Sequence, residues 1–296
     1  MSTLPPSPSA PSPTPWQAAW RRLTSSWFTV GALIFLCLLI FSCAFAGFVS
    51  PHEPNAQDLE LKASPPSASH WMGTDPLGRD IAARILHGGR VSLLVGALAT
   101  GVAVLIGVTY GLLAGLAGPR TDAAMMRVVD ILYAFPFMTF VIILTVVFGR
   151  ELWLFFIAIG AVEWLTMARV VRGQVLGLKN QEFVTAARAY GAKGWHILAR
   201  HMLPNVAGPV IVYASLTIPG VMLLEATLSF LGLGIQPPDA SWGVLIRDGA
   251  DNMETSPWML FFPSLFFSST LFALNLIGDG LRDALDPKSF QESGES

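Results

Sequence analysis

The chain has 296 residues, 53% hydrophobic and 13% charged, with a net charge of −2 and a mean hydropathy of +0.56. Soluble domains carry about 25% charge, so this composition excludes an ordinary soluble globule and sets the chain in a bilayer. No basic excess points to nucleic acid, and the two cysteines, Cys37 and Cys43, lie on different faces of one apolar run, where neither a disulfide nor a metal site is expected.

In chain order, residues 1–15 are rich in Pro and Ser with almost nothing apolar to bury, so disorder is expected there. Residues 1–26 together read as a disordered cytoplasmic tail and membrane approach. Crossing about 30 Å of hydrocarbon takes about 20 helical residues. Six runs reach that length, at 27–49, 91–117, 131–149, 152–171, 206–230 and 257–278, which predicts an all-α, polytopic protein with six transmembrane helices. Arg21-Arg22 before the first run and Ala44-Phe45-Ala46 within it resemble a signal peptide, but the run is about twice a signal core in length, so it reads as a retained anchor. The expected divisions are a first helix with an external loop (27–90), a five-helix core (91–279) holding a cytoplasmic loop at 172–204, and a cytoplasmic tail (280–296). With both termini inside, only Lys62, Arg79, Arg84, Arg90, Arg150 and Arg247 of the 18 Lys and Arg fall outside, as the positive-inside rule requires. Dropping the fourth run, which Glu163 interrupts, would move the basic 169–204 stretch outside.

Within the second run, Gly107, Gly111 and Gly115 recur every fourth residue, a small-residue stripe that admits close helix packing. Pro136, Pro219 and Pro263 lie inside runs, where each removes a backbone bond and favours a kink. Glu163 and Glu225 are ionisable groups at membrane depth, costly unless they face protein or water. Two readings are open for each. Glu163 either lines a translocation pathway or reaches Arg169 or water; Glu225 either meets substrate or makes a structural hydrogen bond.

The cytoplasmic loop carries the most specific pattern. Residues 182–192 read as a short helix with Phe183, Ala187 and Tyr190 on one stripe. Ala186 and Ala187 offer little bulk, which suits a partner's groove better than lipid. Gly191 can end this helix in a left-handed conformation, and a second short helix over 194–203 returns the chain to the membrane at Pro204.

Thr185-Ala186-Ala187-x-x-x-Gly191, followed by Leu203-Pro204, resembles the Glu-Ala-Ala loop of importer-type ABC permeases. Thr185 stands where that family has Glu and His201 where it has Ile; the Gly-to-Pro spacing is kept, and Glu182 can stand in for the missing carboxylate. The resemblance covers nearly the whole chain past the N-terminal tail. His70-Trp71-Met72-Gly73-Thr74-Asp75-Pro76-Leu77-Gly78-Arg79-Asp80, Leu228-Ser229-Phe230-Leu231-Gly232-Leu233-Gly234 and Gly278-Asp279-Gly280-Leu281-Arg282-Asp283-Ala284-Leu285-Asp286-Pro287 are similar to blocks of peptide permeases. Phe135-Pro136-Phe137-Met138 and Ser256-Pro257-Trp258 look most like the C-type permease of oligopeptide importers.

That resemblance implies a type I ABC importer permease fold in a bacterial inner membrane. It implies as partners a second, B-type permease, two cytoplasmic ATPases that bind ATP and Mg, and an external peptide-binding protein. Glu182, Thr185, Ala186, Ala187 and Gly191 then inherit coupling to the ATPase. The chain itself is expected to bind no cofactor and to catalyse nothing: Gly191-Ala192-Lys193-Gly194 lacks the spacing of a phosphate-cradling loop, and the five histidines show no metal-ligand spacing on a shared element. Trp71 and Trp242, in the outer loops, serve either as interface anchors or as a docking surface, and the 231–256 loop can dip back into the bundle on Gly232, Gly234 and Gly243. The same architecture could import nickel chelates or glutathione. An ion-driven secondary transporter would require paired carboxylates or an internal repeat at the midplane.

Overall fold

The computed structural model describes residues 15–148, 152–236 and 238–285. Among these the elements are helical, apart from one isolated bridge between Thr74 and Asp80. The expected disorder of the first residues lies outside the described part, as does most of the expected C-terminal tail. Within the segment read as tail and approach, Pro15–Ser25 is an α-helix (α1), whose Leu23 packs with Ala284 at the far end of the chain. The helix expected to stop at 278 likewise runs on to Leu285.

Helix α2 (Trp27–Ala44) starts where the Ser26 hydroxyl accepts the Thr29 N–H, and a break at Phe45 separates it from the single turn α3 (Ala46–Val49). Helix α4 (Ile81–Leu116) begins well before the expected 91, because the Asp80 carboxylate accepts the Ala83 N–H at 2.7 Å and caps it. Helices α5 (Pro119–Tyr133) and α6 (Phe137–Phe148) meet at a 76° bend at Pro136, so this proline breaks its run. Helix α7 (Leu152–Leu178) is followed by α8 (Glu182–Ala189), α9 (Gly194–Ile197) and a π-helical turn, Leu198–Met202. Then come α10 (Leu203–Phe230), α11 (Trp242–Asp251) and α12 (Trp258–Leu285); Pro219 and Pro263 are carried inside α10 and α12 without ending them. Among the described residues, four helical stretches are long and apolar enough to cross a membrane, and α5 with α6 brings the number to as many as five. The 27-residue α7 runs beside them.

The glycine stripe decides the packing. A Cβ on Gly107 would lie 2.6 Å from Met167, on Gly111 2.6 Å from the Ala168 carbonyl, and on Gly115 2.7 Å from Val175. These contacts advance together along both helices, so α4 and α7 run parallel in close contact, and α5–α6 must carry the chain back between them. By contrast, α10 runs antiparallel to α4, with Met222 beside Gly96 and Glu225 beside Ser92. Arg90 ties α4 antiparallel to α2 by donating to the Cys43 and Ala44 carbonyls at 3.2 and 2.8 Å. The loop from 179 to 203 therefore sits at one end of the bundle and the loop from 50 to 80 at the other.

Candidate coupling site and bundle interior

Identifiable contacts hold the loop between α7 and α10 to the bundle. Lys179 donates to the Gly115 carbonyl at 3.3 Å, which holds the exit of α7 against α4. Helix α8 closes as its terminal glycine allows: Gly191 takes φ +78°, and the Ala192 N–H reaches the Ala187 carbonyl at 3.0 Å, the 6→1 bond of a Schellman stop. One residue that sequence periodicity passed over fixes the face of α8. Val184 is fully buried and joins Ile197, Met202 and Val206 in a cluster with Leu112, Met167, Val171 and Val175 of α4 and α7.

The residues expected to couple lie on the remaining surface. Glu182, Thr185, Ala186 and Gly191 are exposed and Ala187 is half-buried against the cluster. Of the stripe Phe183, Ala187 and Tyr190, the first and last are exposed, Tyr190 at 92%, while Ala187 between them turns partly into the cluster. With Lys193, His196 and His201 these residues border a cleft of about 630 Å³. The Thr185 hydroxyl donates back to the Gln181 carbonyl at 3.3 Å, so the nearest free carboxylate on α8 is that of Glu182. Behind the loop, Arg172 of α7 clasps Asp122 of α5 through two bonds of 2.5 and 2.7 Å, a bidentate brace.

The two intramembrane glutamates have different surroundings. Glu163 borders a cavity of about 550 Å³ shared with Tyr133, Phe135, Phe137, Phe140 and Thr166. Arg169, its expected partner, instead pairs with Asp130 at 2.8 Å and lies over the Tyr133 ring. Glu225 is sealed from solvent and accepts hydroxyl bonds from Ser229 at 2.7 Å and Ser92 at 3.3 Å. Ser92 also accepts the Trp242 N–H at 3.1 Å. The carboxylate thus stands at the junction of α4, α10 and α11.

Of the two outer-loop tryptophans, Trp71 is 64% exposed and remains available as an anchor or contact. Trp242 is neither. It is fully buried, donating from Nε1 to the Ile85 carbonyl at 2.9 Å, and it draws α11 into the bundle against α4, α10 and α12. The 231–256 loop dips inward as its glycines allow. Gly232 has φ +77°, and a Cβ on Gly243 would stand 2.6 Å from the Ala226 Cα. In the other outer loop, Asp75 receives Arg79 at 2.7 Å and Arg84 at 2.6 Å, and Arg84 extends to Asp248 at 3.8 Å. Burial pushes the Asp248 carboxyl above the usual aspartate range, against the pull of Arg84 and Arg79. Four of the five histidines, uninformative by spacing, fall into two pairs: His196 with His201 in the cleft beside α8, and His52 with His70 beside Asp80 in the outer loop.

Comparison with known proteins identifies the family. Residues 107–291 match the family described as binding-protein-dependent transport system inner membrane component, and residues 14–66 match the N-terminal TM domain of oligopeptide transport permease C. The chain is 50% identical to the oligopeptide transport system permease protein of Haemophilus influenzae over 275 residues, 92% of this chain and 88% of that one. It is 46% identical to the dipeptide transport system permease protein of Bacillus subtilis over 273 residues, 92% and 85% of the two chains. Identity is 40% to a glutathione transport system permease protein of Pectobacterium atrosepticum over 276 residues, 93% and 92%. With a family match over more than half its length and relatives this similar end to end, the chain belongs to the inner membrane component family of binding-protein-dependent transport systems, as a permease of the oligopeptide and dipeptide type.

Proposed function

We propose that this chain forms half of the translocation pathway of an ATP-driven importer of oligopeptides or dipeptides. The observation that carries the coupling part is α8: a helix pinned to the bundle by buried Val184 while Ala186 on it and Tyr190 just past its end are exposed. Such an element transmits displacement from a partner without deforming. The partners are two cytoplasmic ATPases that hold ATP and Mg, a second, B-type permease and an external peptide-binding protein; the chain itself binds no nucleotide and hydrolyses nothing. Glu182, Thr185, Ala186, Ala187 and Gly191 form the ATPase contact, which puts the α8 end and both termini on the cytoplasmic side of the inner membrane. Glu163 faces the route of the peptide, where a carboxylate in an aromatic cavity complements a free amino terminus. Glu225 braces the frame instead. Peptides are favoured over glutathione as cargo because the oligopeptide and dipeptide relatives are the more similar.

The test is uptake of a labelled tripeptide and of labelled glutathione by cells lacking this gene, before and after its return. Loss and recovery of tripeptide uptake alone is expected. Loss of glutathione uptake alone would reassign the cargo, and uptake driven by an ion gradient without ATP would overturn the reading.

A further inference from the structure

Three residues distant along the chain meet at the bundle end away from α8. His52 follows α3, His70 lies in the outer loop and Asp80 caps α4; one ligand atom from each lies within 4.8 Å of the other two. Asp80 is buried and His70 nearly so, while His52 is about one-third exposed. His70 Nδ1 lies 2.9 Å from Asp80 Oδ2, a hydrogen bond that would by itself hold the loop. It does not account for His52, whose Nδ1 stands 3.8 Å from the same oxygen, too far for a hydrogen bond, with its ring tilted against that of His70 at 4.6 Å between centroids. Two imidazoles converging on one carboxylate oxygen form a donor set rather than a simple pair.

We propose that His52, His70 and Asp80 are the protein ligands of a divalent metal site of the zinc class. Two nitrogens and one oxygen suit Zn²⁺, which bonds such donors at about 2.0–2.2 Å, whereas Ca²⁺ and Mg²⁺ prefer all-oxygen shells. Donors around such an ion stand about 3.3 Å apart, as tetrahedral geometry at those bond lengths requires. Rotation of the partly exposed His52 ring brings the three together. The carboxylate is already oriented, since its other oxygen accepts the Ala83 N–H at 2.7 Å, the outer-shell support that metal-binding carboxylates use. A fourth position opens on a cavity of about 470 Å³ bordered by His52, Glu53, Asp58, His70 and Asp80, which leaves room for water. Metal here would clamp the segment after α3, the outer loop and the first turn of α4 into one unit, independently of the cargo carried.

The experiment titrates Zn²⁺ alone into the chelator-treated, full-length protein in whatever assembly it is purified, by calorimetry, with Co²⁺ absorption as a second readout of coordination. The expected result is one site of micromolar or tighter Kd with the visible bands of tetrahedral Co²⁺. His52→Ala should weaken that site at least tenfold, and so should Asp80→Asn, which keeps a side-chain oxygen for the helix cap. Replacing His196 and His201 together should leave it intact. Absence of a zinc site, or titrations of His52→Ala and Asp80→Asn that match the unaltered protein, would overturn the proposal. Zinc sites on associated subunits would persist equally in every variant, so they cannot imitate the expected loss.

Discussion

Gly111 shows how much of this bundle turns on single atoms. With no side chain it lets α4 come within contact of the α7 backbone, and any Cβ there would press on the Ala168 carbonyl, which cannot rotate away. Gly111→Val should therefore force α4 and α7 apart at a cost of about 1–3 kcal/mol. Gly101 is the internal control, since nothing lies within 4 Å of its would-be Cβ, and Gly101→Ala should stay within about 1 kcal/mol of the parent. Thermal unfolding in detergent distinguishes them; equal melting temperatures would refute the seam. The stripe itself was visible as a four-residue repeat of glycine. Its partner was not, because a repeat on one helix does not say which other helix it meets. Trp242 shows the reverse limit: an outer-loop tryptophan reads as an interface residue until the fold turns its loop inward and supplies the Ile85 carbonyl for its N–H.

At the scale of elements, α8 separates two kinds of damage. Val184→Asp places a charge in the cluster that anchors the loop, so it should lower the melting temperature and expose 179–203 to protease. Ala186→Arg adds bulk on the exposed face, should leave melting within about 0.5 kcal/mol of the parent, and should abolish co-purification of ATPase subunits. Identical behaviour of the two variants would contradict the division into a buried and a docking face. The short helix and its glycine stop were legible because both follow from local chemistry. Val184 was hidden by its position, since one buried residue on a short helix sets no period. Pro136 broke its run while Pro219 and Pro263 are carried inside continuous helices, a difference that the proline itself, identical in all three runs, does not encode.

For the molecule as a whole, antiparallel and parallel contacts together put the 50–80 loop and the 179–203 loop at opposite ends. In a background with Cys37 and Cys43 replaced by Ser, Glu60→Cys should react with an impermeant maleimide on intact spheroplasts, and Lys193→Cys only after lysis. Reaction of both from one side would dismantle the proposed topology. Long apolar runs and blocks of family-like sequence made the class and architecture readable without coordinates. The outer-loop histidines were not readable in this way, because the chain between positions 52 and 80 brings them to Asp80 through turns at Gly73 and Gly78 that no simple period encodes.

The parallel pairing of α4 with α7 also has a meaning in time. A ribosome adding about 5–20 residues per second must complete α5 and α6 before α7 exists. For some seconds the seam of Gly107, Gly111 and Gly115 stands in the membrane without its native partner. Whatever occupies it meanwhile, lipid or an insertion factor, has to be displaced when α7 arrives. Substitutions along the seam should thus appear first as nascent chains lost to quality control, before any slowing of transport can be seen.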